Sequence, residues 1–378
     1  MNKLEKLIAQ LCPNGVEYKK IKDVYKRLKG TPITAAKMKE IENPDGEIKI
    51  FAGGKTVIDA AEDDIPNANI TRVPAVLVQS RGVIDAIYYD KPFTFKNEMW
   101  AYIADEKLSV KFLYYVLKNN MEYFRTAASG MGSMPQISLS VTEEFTIPLP
   151  PLPVQREIVR ILDNFTELTT ELTTELTARR KQYEYYRDAL LTASDNIEYQ
   201  TLPEISENLD RQRKPVTKGN REAGEYPYYG ASGIVDYVSD YIFDGDYLLV
   251  SEDGANLLAR STPIAFSISG KNWVNNHAHV LKFDTAIMQK YVEIYLNSID
   301  LSKYISGGAQ PKLNQDNLNK IPIPVPPFNK VKIIVAILEK FSALCNDLTS
   351  GLPAEIEARK KQYEYYRDKL LTFQEAKI

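Results

Sequence analysis

Cysteine and histidine are nearly missing from this sequence, with two of each in 378 residues. Cys12 and Cys345 stand far apart, so there is neither a disulfide framework nor the paired-cysteine spacing of a zinc site. His277 and His279 could share one face of a strand. No third Cys, His or carboxylate stands at a recognisable ligand spacing beside them, and no metal is expected. No apolar run approaches the length needed to cross a bilayer. The amino terminus, MNKLEKLIAQLCPNG, alternates charged and apolar residues, whereas a secretion signal joins a basic flank to an apolar block. A cytoplasmic protein is the expectation. Neither sign of charge dominates: 47 Lys and Arg against 50 Asp and Glu leave a net charge of -3. That argues against nucleic acid as a partner, but net charge is an average, and local clusters have to be read separately.

Catalytic motifs are scarce as well. Ala52-Gly53-Gly54-Lys55-Thr56 ends like a phosphate-binding loop, but the pattern needs glycine where Lys49 stands, so a turn is expected. Glu252-Asp253-Gly254 also reads as a turn, with Ser80-Arg81-Gly82 in roughly the corresponding place of the first half. There is no G-x-S-x-G, no dinucleotide fingerprint and no defensible pair of carboxylates. The chain reads as no enzyme.

What the sequence does contain is itself, twice. KQYEYYRDALLT from Lys181 to Thr192 returns as KQYEYYRDKLLT from Lys361 to Thr372. Ile147-Pro148-Leu149-Pro150-Pro151 matches Ile323-Pro324-Val325-Pro326-Pro327, and Pro135-Gln136-Ile137 matches Pro311-Lys312-Leu313. Gly15-Val16-Glu17-Tyr18 resembles Asn196-Ile197-Glu198-Tyr199. Looser matches join Ile50-Phe51-Ala52-Gly53-Gly54 to Tyr228-Tyr229-Gly230-Ala231-Ser232, and Lys96-Asn97 to Asn275-Asn276. The order is variable, shared, variable, shared, which predicts globular domains over 1–150 and 194–326 and helical segments over 151–193 and 327–378.

The shared segments carry helical stripes. Ile158, Ile161, Phe165, Leu168, Leu172 and Leu176, then Tyr183, Tyr186 and Leu190, recur by threes and fours. Unbroken from Val154 to Thr192, this helix would be about 58 Å long. Ile334, Ile337, Phe341, Leu344, Leu348, Leu352, Ile356, Tyr363, Tyr366 and Leu370 form the second stripe, and a coiled-coil-like pair is expected. Gly351 and Pro353 should kink or restart the second helix. The first copy holds three Thr-Glu-Leu-Thr units between Thr166 and Thr177. One unit is close to a helical turn, so this array reads as an adjustable spacer. The variable segments mix β-rich runs (75–79, 86–89, 247–250) with helical periodicity (111–118, 290–297), so the fold class is α/β with two globular domains in tandem.

Basic residues cluster at matching places in the two variable segments. Lys26, Arg27, Lys29, Lys37 and Lys39 surround Thr31-Pro32; Arg211, Arg213, Lys214, Lys218 and Arg221 surround Pro215-Val216. Amide-bearing and aromatic positions follow: Asn97 and Trp100 in the first, Trp273, Asn275 and Asn276 in the second. Phosphate anchoring combined with base reading fits such a pairing. Thr31, Arg81, Lys96, Asn256, Arg260 and His277 complete the candidate DNA-contact set. Two competing readings are a coiled-coil scaffold that binds only proteins and a self-sufficient nuclease or methyltransferase.

The duplicated order, the run Pro148 to Ile158 (PLPPLPVQREI) entering a long helix, the twice-used KQYEYYRD, the Thr-Glu-Leu-Thr array and Asn275-Asn276-His277-Ala278-His279 together resemble the specificity subunits of type I restriction-modification systems. The match covers nearly the whole chain. The resemblance implies two target-recognition domains, pseudo-two-fold related and separated by two long antiparallel helices, each domain reading one half of a bipartite double-stranded DNA target. It implies two copies of a methyltransferase subunit and translocating endonuclease subunits as partners. S-adenosylmethionine, ATP and magnesium then belong to those partners and not to this chain. A duplicated helix surface can dock two copies of one protein, which makes Lys181, Glu184, Tyr185, Arg187 and Asp188, with Lys361, Glu364, Tyr365, Arg367 and Asp368, the candidate methyltransferase-facing residues. Tyr183, Tyr186, Tyr363 and Tyr366 are expected to pack within the helices. Self-association of the isolated chain is left open.

Overall fold

A computed structural model describes residues 3–65, 67–129, 134–192, 197–308 and 310–376. Asn196, the first residue of the second Gly15-to-Tyr18 match, lies outside them. The chain forms two compact units: one contains residues 1–172 together with 356–378, the other residues 173–355. Each unit therefore takes its globular part from one copy and the dodecamer helix from the other.

In the first unit, strands β1 (Glu17–Lys20), β2 (Lys26–Leu28), β3 (Ile48–Phe51), β4 (Val57–Ala60), β5 (Ala75–Gln79), β6 (Asp85–Tyr89), β7 (Phe93–Phe95), β8 (Trp100–Ile103) and β9 (Thr146–Leu149) form three sheets, ordered β2-β8-β5-β6, β4-β3-β7 and β1-β9. Strand β5 is buried at every position, as its uninterrupted Ala-Val-Leu-Val run requires of a strand covered on both faces. The helix Lys107–Asn119 buries Val110, Leu113, Val116 and Leu117, a stripe at helical spacing, in the same core as Val76 and Val78 of β5. In the second unit β10 (Tyr199–Gln200), β11 (Glu207–Asn208), β12 (Ala223–Gly230), β13 (Gly233–Val238), β14 (Phe243–Asp244), β15 (Tyr247–Ser251), β16 (Ala265–Ile268), β17 (Lys271–Val274), β18 (Ala278–Lys282) and β19 (Ile323–Pro324) give the orders β11-β18-β15-β16, β13-β12-β17-β14 and β10-β19. The two domains share one topology, with β14 added in the second. The duplication legible in the sequence is a duplication of fold.

The central helix runs unbroken over Leu152–Thr192, 41 residues. Within the first unit, Val154, Ile158, Val159 and Leu162 enter the domain core together with Leu371 from the far end of the chain. Phe165 stacks on Tyr366 at 5.6 Å between ring centroids. Within the second unit the arrangement is reciprocal: Leu191 shares a core with Val331, Ile334, Val335 and Leu338 of the helix Phe328–Asn346, and the Tyr186 ring lies 5.9 Å from Phe341. Leu168, Leu172 and Leu176 are half-buried while Thr170, Glu171, Thr174 and Glu175 are exposed. Several of the threonines donate to carbonyls one turn back, as Thr170 does to Thr166 at 2.8 Å, which keeps their hydroxyls satisfied on an exposed face.

The second copy's helix does stop where glycine and proline foretell, ending at Asn346 and restarting at Leu352. A Cβ on Gly351 would sit 2.6 Å from the Ala343 carbonyl oxygen, so only glycine fits the break. At the other end of the chain the Val16 amide donates to the Gln374 carbonyl at 2.9 Å and Ala376 returns a bond to Val16 at 2.9 Å. Gly15, at φ +95°, permits this approach, since a Cβ there would lie 2.5 Å from the Gln374 oxygen.

Candidate nucleic-acid interface

Three loops meet at one end of the β3–β7 pair. These strands run parallel in the register Phe51↔Phe95, and the Lys96 amide donates to the Phe51 carbonyl at 2.9 Å. The turn after β3 places Gly54 at φ +73°, where its amide donates to Arg81 at 3.0 Å and its carbonyl accepts from the Gln79 side chain at 2.7 Å. This is the turn expected of Gly53-Gly54. Gly82 donates to Pro135 at 2.9 Å and Ile137 to Ser80 at 2.9 Å, tying in a third segment. A cleft of about 720 Å³ opens beside the loops, lined among others by Met38, Lys39, Lys55, Arg81, Lys96 and Glu98.

The second domain repeats the parallel strand pair and three of these backbone bonds. Strands β12 and β17 are parallel with Tyr229↔Val274, Asn275 donates to Tyr229 at 3.1 Å, Gly254 to Pro311 at 3.1 Å and Leu313 to Glu252 at 2.8 Å. Isolated bridges agree: Arg81 and Ser129 pair with Gln136, while Asp253 and Ser306 pair with Lys312. Ser80-Arg81-Gly82 is thus the structural counterpart of Glu252-Asp253-Gly254, and Lys96-Asn97-Glu98 that of Asn275-Asn276-His277. The side chains at these places differ: Arg81 against Asp253, Glu98 against His277, Gln136 against Lys312. Glu98 accepts from the Gly53 amide at 3.2 Å and pairs with Lys96 at 3.1 Å, and His277 bonds Asp253 through Nδ1 at 2.8 Å.

Behind the second loop cluster lies a buried ion network. His279 presents Nδ1 to the Asp210 carboxylate at 2.6 Å and Nε2 to the Leu313 carbonyl at 2.8 Å. Both partners accept, an arrangement satisfied by a ring protonated on both nitrogens. Arg213 donates to Glu252 and to the Ala278 carbonyl, each at 2.7 Å, and Lys312 lies 3.2 Å from Glu252. Burial pushes the Asp210 and Glu252 carboxyls up, but His279 and Arg213 outweigh it and hold both below their ordinary values. Asp210, Glu252 and His279 place ligand-type atoms within 4.8 Å of one another. Arg213 and Lys312 already answer the carboxylates, so the group is an internal brace of the loops. The carboxylates that sequence spacing could not find beside His279 come from a loop and a strand end remote in the chain.

The candidate residues separate accordingly. Lys26, Lys29 and Lys39 are exposed in the first domain, and Arg211, Lys214 and Lys218 in the second. The second basic loop is anchored from beneath: the Trp273 indole donates to the Lys214 carbonyl at 2.6 Å and the Val216 amide to the Tyr228 hydroxyl at 2.9 Å, which leaves the lysine side chains outward. Arg27 faces Glu143 at 3.4 Å, Lys37 faces Glu40 at 2.8 Å, and Arg221 lies over the Tyr228 ring while pairing with Asp236 at 3.0 Å. Other candidates are built into the fold. Thr31 is buried against Thr94 at 2.6 Å, and Arg213 belongs to the ion network. Arg260, at φ +52°, donates to the Leu296 and Ile299 carbonyls at 3.4 and 2.9 Å. Asn256 holds the 261–262 turn, and buried Asn275 accepts from the His277 amide at 2.8 Å. Lys55 and Lys312 join the loop clusters from the structure; for Lys312 the match of Pro135-Gln136-Ile137 to Pro311-Lys312-Leu313 is the available sequence signal.

The repeated dodecamers present the same surface in each unit. Tyr185 and Tyr365 are 70% and 61% exposed, flanked by exposed Lys181, Glu184 and Asp188 in one and Lys361, Glu364 and Asp368 in the other. Arg187 lies over Tyr183 at 5.9 Å and Arg367 over Tyr363 at 5.7 Å, each paired with the following aspartate. Of the four tyrosines expected to pack within the helices, Tyr183 and Tyr363 are half-buried, while Tyr186 and Tyr366 meet the Phe341 and Phe165 rings and remain 41% and 42% exposed.

A tandem pair of α/β domains, each carrying unlike loops on one constant backbone frame and each completed by a repeated helix, defines a class of duplicated recognition proteins. The family model for the type I restriction modification DNA specificity domain matches residues 13–179 and again 194–358, and the chain belongs to that family. It is 37% identical over 199 residues to a type I restriction enzyme specificity subunit of Haemophilus influenzae, covering 52% of this chain and 51% of that one. With the EcoR124I/EcoR124II specificity subunit of Escherichia coli it shares 35% identity over 295 residues, 71% of this chain and 72% of the relative. The crystal structure of a type I restriction-modification S subunit from M. genitalium has the same fold, with a TM-score of 0.60 over 94% of this chain and 95% of that one at 19% identity. The chain is a DNA target-recognition protein of the type I specificity class, and none of its described helices is long and apolar enough to cross a membrane.

Proposed function

We propose that this chain is the non-catalytic targeting subunit of a type I restriction-modification complex, and that each domain reads one half of a bipartite double-stranded DNA target. The observation that carries the proposal is the pair of loop clusters: equal backbone bonds hold Arg81, Asn97 and Glu98 in one domain and Asp253, Asn276 and His277 in the other. A frame conserved between domains whose side chains differ suits two readers of different sequences. The two dodecamer surfaces dock two copies of one methyltransferase subunit, and translocating endonuclease subunits complete the assembly. S-adenosylmethionine, ATP and magnesium are held by those partners. The complex works on DNA in the cytoplasm, and the Thr-Glu-Leu-Thr array of the central helix sets the unread gap between the half-sites.

The test is co-expression with the methyltransferase followed by base-resolution mapping of methylated adenine, for the natural chain and for one with a further Thr-Glu-Leu-Thr unit after Thr177. One unit adds about 6 Å, so the gap should lengthen by roughly one to two base pairs at 3.4 Å per step, with both half-sites unchanged. A split motif with the original gap refutes the spacer role. Absence of any split motif refutes the proposal as a whole.

A further inference from the structure

Between two diverged loops one side chain has been kept. In the triplets Lys96-Asn97-Glu98 and Asn275-Asn276-His277 the first and third residues differ and are engaged by the protein: Lys96 with Glu98 at 3.1 Å, Asn275 with the His277 amide at 2.8 Å and His277 with Asp253. The middle residue is asparagine in both. Asn97 and Asn276 are exposed, and among the described residues neither side chain makes a hydrogen bond.

Asparagine in a loop usually has a local reason. It tolerates a left-handed backbone, or it closes a turn through its own amide. Neither applies here, because Asn67 and Arg260 are the only non-glycine residues at positive φ among the described residues, and neither side chain closes a turn. Folding therefore gives no account of these two amides. Both stand one residue beyond the same anchor, the amide of Lys96 or Asn275 on the carbonyl of Phe51 or Tyr229, so they leave the frame at the same point.

A free carboxamide presents a donor and an acceptor side by side, which matches the N7 acceptor and N6 amine that adenine shows in the major groove. We infer that Asn97 and Asn276 each read an adenine, one in each half of the target, so that the two half-sites share an adenine at the position these loops reach while differing around it. This rests on the proposed bipartite reading.

The experiment uses the full chain assembled with its methyltransferase. The motif is mapped for the natural chain, for Asn97→Ala and Asn276→Ala, and for the equally shaped Asn97→Asp and Asn276→Asp. Binding is then measured to duplexes carrying the mapped motif, with 7-deazaadenine replacing each adenine in turn. Each Ala variant should relax one A·T position in one half-site only, the two variants affecting different halves, and should weaken binding to the natural motif roughly tenfold to a hundredfold. 7-Deazaadenine at that position should cost the natural chain a similar factor and cost the variant nothing further. The Asp variants, unable to donate to N7, should lose the same position. If the natural chain gives a split motif that the variants leave unchanged, or if the relaxed positions are G·C pairs, the adenine assignment is overturned while the bipartite reading stands. If the natural chain gives no split motif, both fall together.

Discussion

The loop cluster of the first domain is basic and open, whereas that of the second is braced by buried charge. Where the first has Ser80, the second has Glu252, held by Arg213 and Lys312; where the first has Trp100, with its indole on Thr142 at 2.9 Å, the second has His279 between Asp210 and Leu313. Yet Gly82 and Gly254 bond corresponding proline carbonyls, of Pro135 and Pro311, and Lys96 and Asn275 corresponding strand ends, at Phe51 and Tyr229. Backbone bonds hold a frame whatever the side chains are, so the side chains are left to vary with what they touch. The covers differ too. In the first domain the helix Ala35–Ile41 buries Met38 and Ile41 against Ile48, Ile50 and Ile58. In the second, β13 leaves Ile234, Val235 and Tyr237 about half exposed, at 47%, 54% and 51%.

This contrast can be broken at its largest point by Arg213→Met. Removing one member of a buried ion cluster leaves Glu252 to Lys312 and Asp210 to His279, and should destabilise the second unit by about 3 kcal/mol. The two tryptophans separate the units: Trp273 emission in a Trp100→Phe chain reports the second, and Trp100 emission in a Trp273→Phe chain the first. Urea unfolding should shift only the Trp273 transition, and equal shifts in both would remove the brace as a local device. The acid response has a definite sign. Asp210 and Glu252 are held below their ordinary values of 3.8 and 4.5, so their contribution is complete above those values and is lost as pH falls through the lowered folded-state values. The gap between natural and Arg213→Met chains should therefore narrow in acid.

A smaller effect is expected on the outward lysines. Lys214→Glu with Lys218→Glu should weaken DNA binding by the assembled complex about tenfold and lower the slope of log K against log salt by about 2. An unchanged salt slope would place this loop outside the interface. The smallest effect sharpens the difference in cover. Thr34 accepts from the Lys37 amide at 3.1 Å at the start of Ala35–Ile41, and Thr34→Ala should cost about 1 kcal/mol. That loss should appear in the Trp100 transition alone, and a matching shift at Trp273 would contradict it.

Much of the fold was legible in the chain because its signals are local. Periodicity marked the helices Lys107–Asn119 and Ala286–Ser298, apolar runs marked β5 and β15, and Gly351 with Pro353 marked the break after Asn346. The site was legible only in outline. Lys214, Lys218, Asn97 and Asn276 point outward as their types suggest, but Thr31, Arg213, Asn256, Arg260 and Asn275 have the same donor chemistry and serve the fold. A charged or amide side chain reads alike whether its partner is a phosphate, a base edge or a carbonyl of its own chain, and the partners Glu252, Leu296 and Ile299 lie tens of residues away.

By itself the sequence determined the duplication, the stripes of both helices and the spacer array, since repeats and periods are properties of residue order. Only the tertiary structure decided which dodecamer completes which domain. Leu371 enters the first core and Leu191 the second, an exchange invisible in two nearly identical segments, because identical apolar faces carry no address and the chain path settles which core each one fills. Tertiary structure also decided that Asn97 and Asn276 occupy one place on one frame, because that equivalence is made by backbone bonds between strands and loops that the sequence keeps far apart.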